Sequence, residues 1–144
     1  VNMFVAGFIG SPQMNFIDVK VEKQGSDLYL RMGRWTVKLP EQKAEKVLAG
    51  GYVEKTVVMG IRPEAVHDEQ MYLEAYQDSQ IECKVEVVEL LGAESLVYMM
   101  LENTLFVARV KPRSNIYVGD TMRFALNPNK VHIFDKETEN IICN

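Results

Sequence analysis

Histidine and cysteine are both scarce in this 144-residue chain, with two of each. His67, His132, Cys83 and Cys143 show none of the spacings that build a zinc site. Both cysteines are therefore expected as free thiols. No glycine is followed by lysine, which excludes a Gly-x4-Gly-Lys-Ser/Thr phosphate loop. Gly-x-Gly-x-x-Gly, His-Glu-x-x-His and Gly-x-Ser-x-Gly are missing as well. Ser79 beside Asp78 is the nearest approach to a nucleophile with an acid, and that adjacency alone carries no chemistry. Basic charge is also in deficit, with sixteen Lys and Arg against twenty Asp and Glu for a net charge of −4. Such a balance does not supply the broad grip that nucleic acid or an anionic membrane requires. The residues offer no catalytic centre, no cofactor site and no metal site.

Long hydrophobic runs are lacking too. The first seventeen residues carry no charge, but Gly7, Gly10 and Pro12 interrupt them, and a membrane span needs about 20 mainly apolar residues. No basic segment precedes them, so they do not read as a signal peptide. The chain begins with Val1, and we expect a piece of a longer protein whose absent domain covers this apolar start.

What is present is alternation. Ile17, Val19 and Val21 alternate with Asp18, Lys20 and Glu22, the period-2 pattern of a half-buried strand. Residues 28–31 and 35–39 continue it, separated by Gly33-Arg34, a two-residue loop with glycine first that suits a II′ turn. Pro40 then opens a helix over residues 41–48. Ala44, Val47 and Leu48 form its apolar stripe, and Gly50-Gly51 stops it. A strand over residues 55–62 ends at Pro63. From Glu64 to Glu82 there are six acidic residues and no Lys or Arg, which predicts a solvated loop or short helix; the calcium-loop pattern is absent. Ile81, Cys83, Val85 and Val87 alternate with Glu82, Lys84 and Glu86, and the phase flips at Val88, which predicts a β-bulge. A hairpin around Asn103, a strand over residues 122–126 and a last one over residues 131–134 complete about nine strands. The residues predict a mainly all-β fold, a small sandwich or Greek-key barrel.

The isolated polar features are modest. His67 and His132 are expected at the surface. Phe106, Arg109 and Tyr98 resemble an oligonucleotide-binding face only if the aromatics are exposed, and small-barrel aromatics belong to the core, so no nucleic-acid partner is expected. Gly119-Asp120 reads as a tight turn. Lys111-Pro112-Arg113-Ser114-Asn115 is the one local run with the chemistry of an oxyanion cradle.

Four segments carry a resemblance. Phe4-Val5-Ala6-Gly7-Phe8-Ile9-Gly10-Ser11-Pro12 with Met14-Asn15-Phe16 looks like the junction where ATP-binding subunits of carbohydrate-import ABC transporters leave their nucleotide-binding domain. Gly60-Ile61-Arg62-Pro63-Glu64, Leu91-Gly92-Ala93-Glu94-Ser95 and Val131-His132-Ile133-Phe134-Asp135 resemble segments of the TOBE-type regulatory domain that follows. One departure stands out. The family commonly carries Thr-Gly before its final apolar residue, whereas this chain has Thr138-Glu139-Asn140.

The resemblance implies an OB-fold-like TOBE β-barrel with additional strands and one or two short helices. Residues 1–14 would be a linker or helix (helical over residues 3–9) from the absent nucleotide-binding domain, and residues 15–144 the barrel. It implies a non-catalytic regulatory and dimerisation role, with ATP and Mg held elsewhere in the parent. The implied partners are a second copy in a weak homodimer, the nucleotide-binding domain, permease subunits and a cytoplasmic regulatory protein, with the parent peripheral on the cytoplasmic face of the membrane. Arg62, Pro63 and Glu64, at a strand end where proline leaves the ladder, are expected either as a subunit or interdomain contact or as an Arg–Glu pair tidying the strand end. The acidic run from Glu64 to Glu82 would repel its own copy at an axis, so it is expected at the periphery, with the dimer contact on the opposite side of the barrel. The alternative is an oxyanion sensor, since related TOBE modules in molybdate systems bind oxyanions between two copies.

Overall fold

The structure, a computed structural model, describes residues 13–112 and 115–144. The expected helix over residues 3–9 and part of the Lys111-to-Asn115 run lie outside those residues. Two antiparallel sheets contain eleven strands among the described residues. The first runs β11-β10-β4-β1-β2-β3 and the second β5-β9-β6-β7-β8.

β1 (Asn15–Gln24) is the longest strand of the first sheet, and it serves two partners. Its first half pairs with β4 (Thr56–Ile61), from Asn15 opposite Ile61 to Lys20 opposite Thr56. Its second half pairs with β2 (Asp27–Met32), from Lys20 opposite Arg31 to Gln24 opposite Asp27. β3 (Trp35–Lys38) completes the expected meander, and only Gly33 of the intervening pair has positive φ, at 64°. That is the II′ geometry which matches the strand twist. α1 (Glu41–Ala49) follows. Its inward face is Lys43 and Val47 with Ala44 beside them, while Leu48 is 49% exposed. The expected stripe through Leu48 is thus rotated by one residue.

β6 (Gln80–Leu90) divides itself in the same way. Gln80 to Lys84 pair with β9 (Thr121–Leu126), and Val85 to Leu90 pair with β7 (Ser95–Leu101). At the change of partner the register slips between Val85 and Val87, so Glu86 is the extra residue of a bulge. Val85 is buried, Val87 is 52% exposed, and Val88 turns back against the core. The phase flip in the sequence therefore marks the place where the strand bends. β8 (Thr104–Val110) pairs with β7 through a two-residue turn in which Glu102 and Asn103 both have positive φ. β5 (Val66–His67), β10 (His132–Asp135) and β11 (Ile141–Cys143) are short. The acidic stretch contains α2 (Gln70–Ala75), a helix too brief for its periodicity to be read.

The sheets curl over one core that includes Val21, Leu30, Ile61, Ile81, Met99, Phe106, Phe124 and Ile133. They meet at two seams. Val37 bridges Ser79, whose Oγ accepts the Lys38 amide at 3.2 Å. Away from that bridge, the Asn15 side chain of β1 bonds the backbone of β8. A second cluster of Met14, Val58 and Phe134, with Phe16 and Ile141, packs across Gly60. Among the described residues no helix is long and apolar enough to cross a membrane.

Candidate functional site

β4 ends at Ile61, and the chain leaves the sheet through Arg62, which is extended at φ −77° and ψ 148°. Pro63 occupies the first position of a 3-10 turn, where its missing N–H costs nothing. The turn is fixed from both sides: Ala65 donates to the Arg62 carbonyl at 2.9 Å, and Asn127 donates to the Ala65 carbonyl at 3.0 Å. Pro63 and Ala65 are buried, so Arg62 is held half-buried and Glu64 exposed. Among the described residues no ion pair joins Arg62 to Glu64. An Arg–Glu pair closing the strand end is therefore not what this motif builds.

Two clefts flank Glu64. One, of about 430 Å³, is lined by Arg62, Glu64, Ala65, His67, Tyr72, Asn127, Lys130 and His132. The other, of about 390 Å³, lies between Glu64, His67, Tyr72 and the Ala93-Glu94 turn, with Arg109 and Lys111 beyond. The shared wall is the His67 ring stacked on Tyr72, with centroids 3.7 Å apart and planes 11° apart. Three motifs distant in sequence thus meet at one rim: Gly60 to Glu64, Leu91 to Ser95, and Val131 to Asp135. Sequence reasoning found Arg62 and Glu64 but missed Tyr72, Asn127 and Lys130, which reach the rim only through tertiary folding.

The charges of the second cleft are largely answered. Arg109 Nε sits 2.7 Å from Glu94 Oε2, and Lys111 Nζ lies 3.5 Å from Glu69. Lys111, the described cation of the expected oxyanion run, is thereby committed to Glu69. Arg62 and Lys130 of the first cleft have no such partner among the described residues.

Both histidines are half-buried, contrary to the surface placement expected from alternation. Burial pushes the His67 imidazole below its usual range, and the Glu69 and Asp68 carboxylates partly oppose this. Burial likewise lowers His132; a hydrogen bond with Asn144 raises it, and the positive charges of Lys43, Arg62 and Lys130 lower it further. Both cysteines are buried free thiols. Burial pushes the Cys83 thiol up to about 11, and Glu82 and Glu102 add to that. Phe106 lies wholly in the core and Tyr98 bonds Glu89 on the outer face, so they do not form one stacking platform. Gly119 and Asp120 form a turn tied to Val85, as expected. No group of three or more His, Cys, Asp or Glu among the described residues is placed to hold a metal.

This barrel, with its rim built by three motifs, matches two known domain families. Residues 10–66 match the MalK OB fold domain and residues 59–134 match the TOBE domain. The chain belongs to the TOBE domain family, in the form that sugar-import ATP-binding proteins carry. It is 43% identical over 96% of its length to the oligosaccharides import ATP-binding protein MsmX of Bacillus subtilis. It is 40% identical, over 96% of its length, to the multiple sugar-binding transport ATP-binding protein MsmK of Streptococcus mutans. The trehalose/maltose import ATP-binding protein MalK of Thermococcus litoralis is 36% identical over 95% of the chain. The chain covers 36–37% of the length of these relatives. A solved structure of the cytoplasmic molybdate-binding protein ModG, with molybdate bound, superposes with a TM-score of 0.59 at 15% identity. The match covers 83% of this chain and 94% of that one, and the likeness is one of fold.

Proposed function

We propose that this chain is the non-catalytic regulatory and dimerisation domain of the ATP-binding subunit of a carbohydrate importer. In this reading the remainder of the parent binds ATP and Mg and couples hydrolysis to sugar uptake through membrane permease subunits. The assembly works at the cytoplasmic face of the membrane, where a cytoplasmic regulatory protein is a further partner. Support comes from the relatives, all three of which are named as import or transport ATP-binding proteins.

One observation carries the dimerisation part. Arg62 and Glu64 stand two residues apart on a rigid turn, carry opposite charges, and pair neither with each other nor with a described neighbour. About a two-fold axis such a pair is self-complementary, Arg62 of one copy facing Glu64 of the other. The remaining acidic groups of residues 68–82 lie beyond the axis. Without the linked ATPase domains the contact loses its effective concentration and is weak.

Sedimentation velocity of the 144-residue chain, from low micromolar to millimolar concentration, tests this. The reading requires a monomer at the low end and a rising dimer fraction towards the high end. A strictly monomeric chain at millimolar concentration removes the dimerisation role.

A further inference from the structure

The cleft beside Arg62 also holds groups that the dimer contact does not use, Lys130, His132 and Asn127. Its cationic groups are Arg62 and Lys130, neither of them ion-paired among the described residues. His132 lines the same cleft and feels the positive charges of Lys43, Arg62 and Lys130, while its ring is hydrogen-bonded to Asn144. Asn127 spends its Oδ1 on the Asn129 amide at 3.0 Å, which leaves its Nδ2 group as an unused donor. Among the described residues, the one carboxylate side chain on the lining is Glu64. One wall is aromatic, built by His67 and Tyr72 stacked on each other, with Tyr76 stacked on Tyr72 at 6.3 Å. The volume, about 430 Å³, falls within the range of roughly 300–1,000 Å³ typical of small-ligand sites.

A guanidinium, an ammonium and an amide N–H lining one half-enclosed space are the donors that a phosphoryl group calls for, and the imidazole beside them can take up a further proton. A concave site in which cationic groups outnumber carboxylates also focuses positive potential and concentrates a counter-ion. The aromatic wall suits the face of a small ring, and a lone carboxylate is an acceptor for hydroxyl groups. We propose that this cleft binds a phosphorylated small metabolite of sugar-phosphate type. Its phosphoryl group lies among Arg62, Lys130 and His132, and its hydroxylated body rests against Tyr72 within reach of Glu64. Occupancy would neutralise Arg62 and so weaken a dimer contact that uses its charge. This consequence rests on the dimerisation reading; the binding does not.

Titration calorimetry and the NMR titration curve of His132 test the binding together, using glucose 6-phosphate, inorganic phosphate and glucose as probes. The proposal requires saturable binding of glucose 6-phosphate and an upward shift of the His132 titration as the ligand's negative charge offsets Lys43, Arg62 and Lys130. Equal binding of inorganic phosphate supports the phosphoryl site with the free anion as its ligand, and tighter binding of glucose 6-phosphate supports the sugar phosphate. Lys130→Gln, at an exposed position that the fold does not need, should weaken binding about tenfold, and Arg62→Gln by at least as much. No saturable binding of either phosphate at millimolar concentration overturns the proposal, as does binding that neither substitution weakens. Binding of glucose as tight as that of its phosphate also overturns it. Sedimentation of the unliganded chain is read separately, so failure here is distinguishable from failure of the dimerisation reading.

Discussion

The carboxamide of Asn15 stands in for a strand. Its Nδ2 donates to the Val107 carbonyl and its Oδ1 accepts the Val107 amide, both at 2.9 Å. Val107 lies on β8, the last strand of its sheet, so its outward backbone groups have no neighbouring strand. Asn15 is 6% exposed and reaches them from β1 of the other sheet. Truncation to Ala would strand a backbone donor and acceptor at a seam with little water. Asn15→Ala should therefore cost about 2–3 kcal/mol, measured by urea unfolding, and a loss below about 0.5 kcal/mol would show that the seam is held by packing instead.

Gly60 is small because three side chains cross it. A methyl group there would come within 2.6 Å of Met14 Sδ, 3.0 Å of Phe134 Cε2 and 3.3 Å of Phe16 Cε1. Met14 can shift its sulfur, but Phe134 is 1% exposed and has nowhere to go. Gly60→Ala should lower stability by about 1–3 kcal/mol through overpacking. Thermal unfolding is the measurement, and an unchanged midpoint would contradict this reading of the glycine.

Glu139 occupies the place where the resemblance puts a glycine, and its φ of 62° explains why. Asp135 organises that turn by accepting the amides of Glu137 and Thr138 at Oδ1, both at 2.9 Å, while its carbonyl accepts the Glu139 amide. The hydrogen bond from Thr138 and one from the Tyr52 hydroxyl hold the Asp135 carboxyl below its usual range. A side chain at left-handed φ is strained, so Glu139→Gly should raise stability by about 0.5–1 kcal/mol. A loss of stability in denaturant would refute the strain argument.

Much of the strand framework was legible because one face of each sheet is buried, so alternation reports it directly. The helix stripe misled because α1 buries the long stem of Lys43 rather than Leu48. Helix α2 was legible only as one of two alternatives, a solvated loop or a short helix, since six residues cannot display a period that separates them. The rim was half legible. Arg62-Pro63-Glu64 marks itself by proline at a strand end, whereas Lys130 and Asn127 come from a turn whose position depends on the pairing of β9. The histidines were misplaced for a related reason, since alternation assigns a face but not what covers it.

Both histidines carry a pH signature. Each is held neutral by burial, so its folded-state pKa lies below the unfolded value of about 6.5. Above that value both states are neutral; below it the unfolded chain binds protons that the native chain refuses, so stability falls as the pH falls. The urea midpoint should drop between pH 7.5 and pH 5.5, and less so in His132→Gln. The Asp135 contribution is lost only as pH falls below the ordinary carboxylate range, so it does not enter this window. A midpoint that is flat or rises on acidification would be inconsistent with buried neutral imidazoles.

In the proposed dimer, Arg62 and Glu64 meet their counterparts across a two-fold axis. Reversing one charge places like against like, while reversing both restores the pairing with its polarity exchanged. Sedimentation equilibrium on Arg62→Glu, Glu64→Arg and the double variant tests this most directly. Each single substitution should weaken the dimer about tenfold, and the double variant should recover most of the loss. Single variants that dimerise like the parent chain, or a double variant as weak as the singles combined, would contradict it.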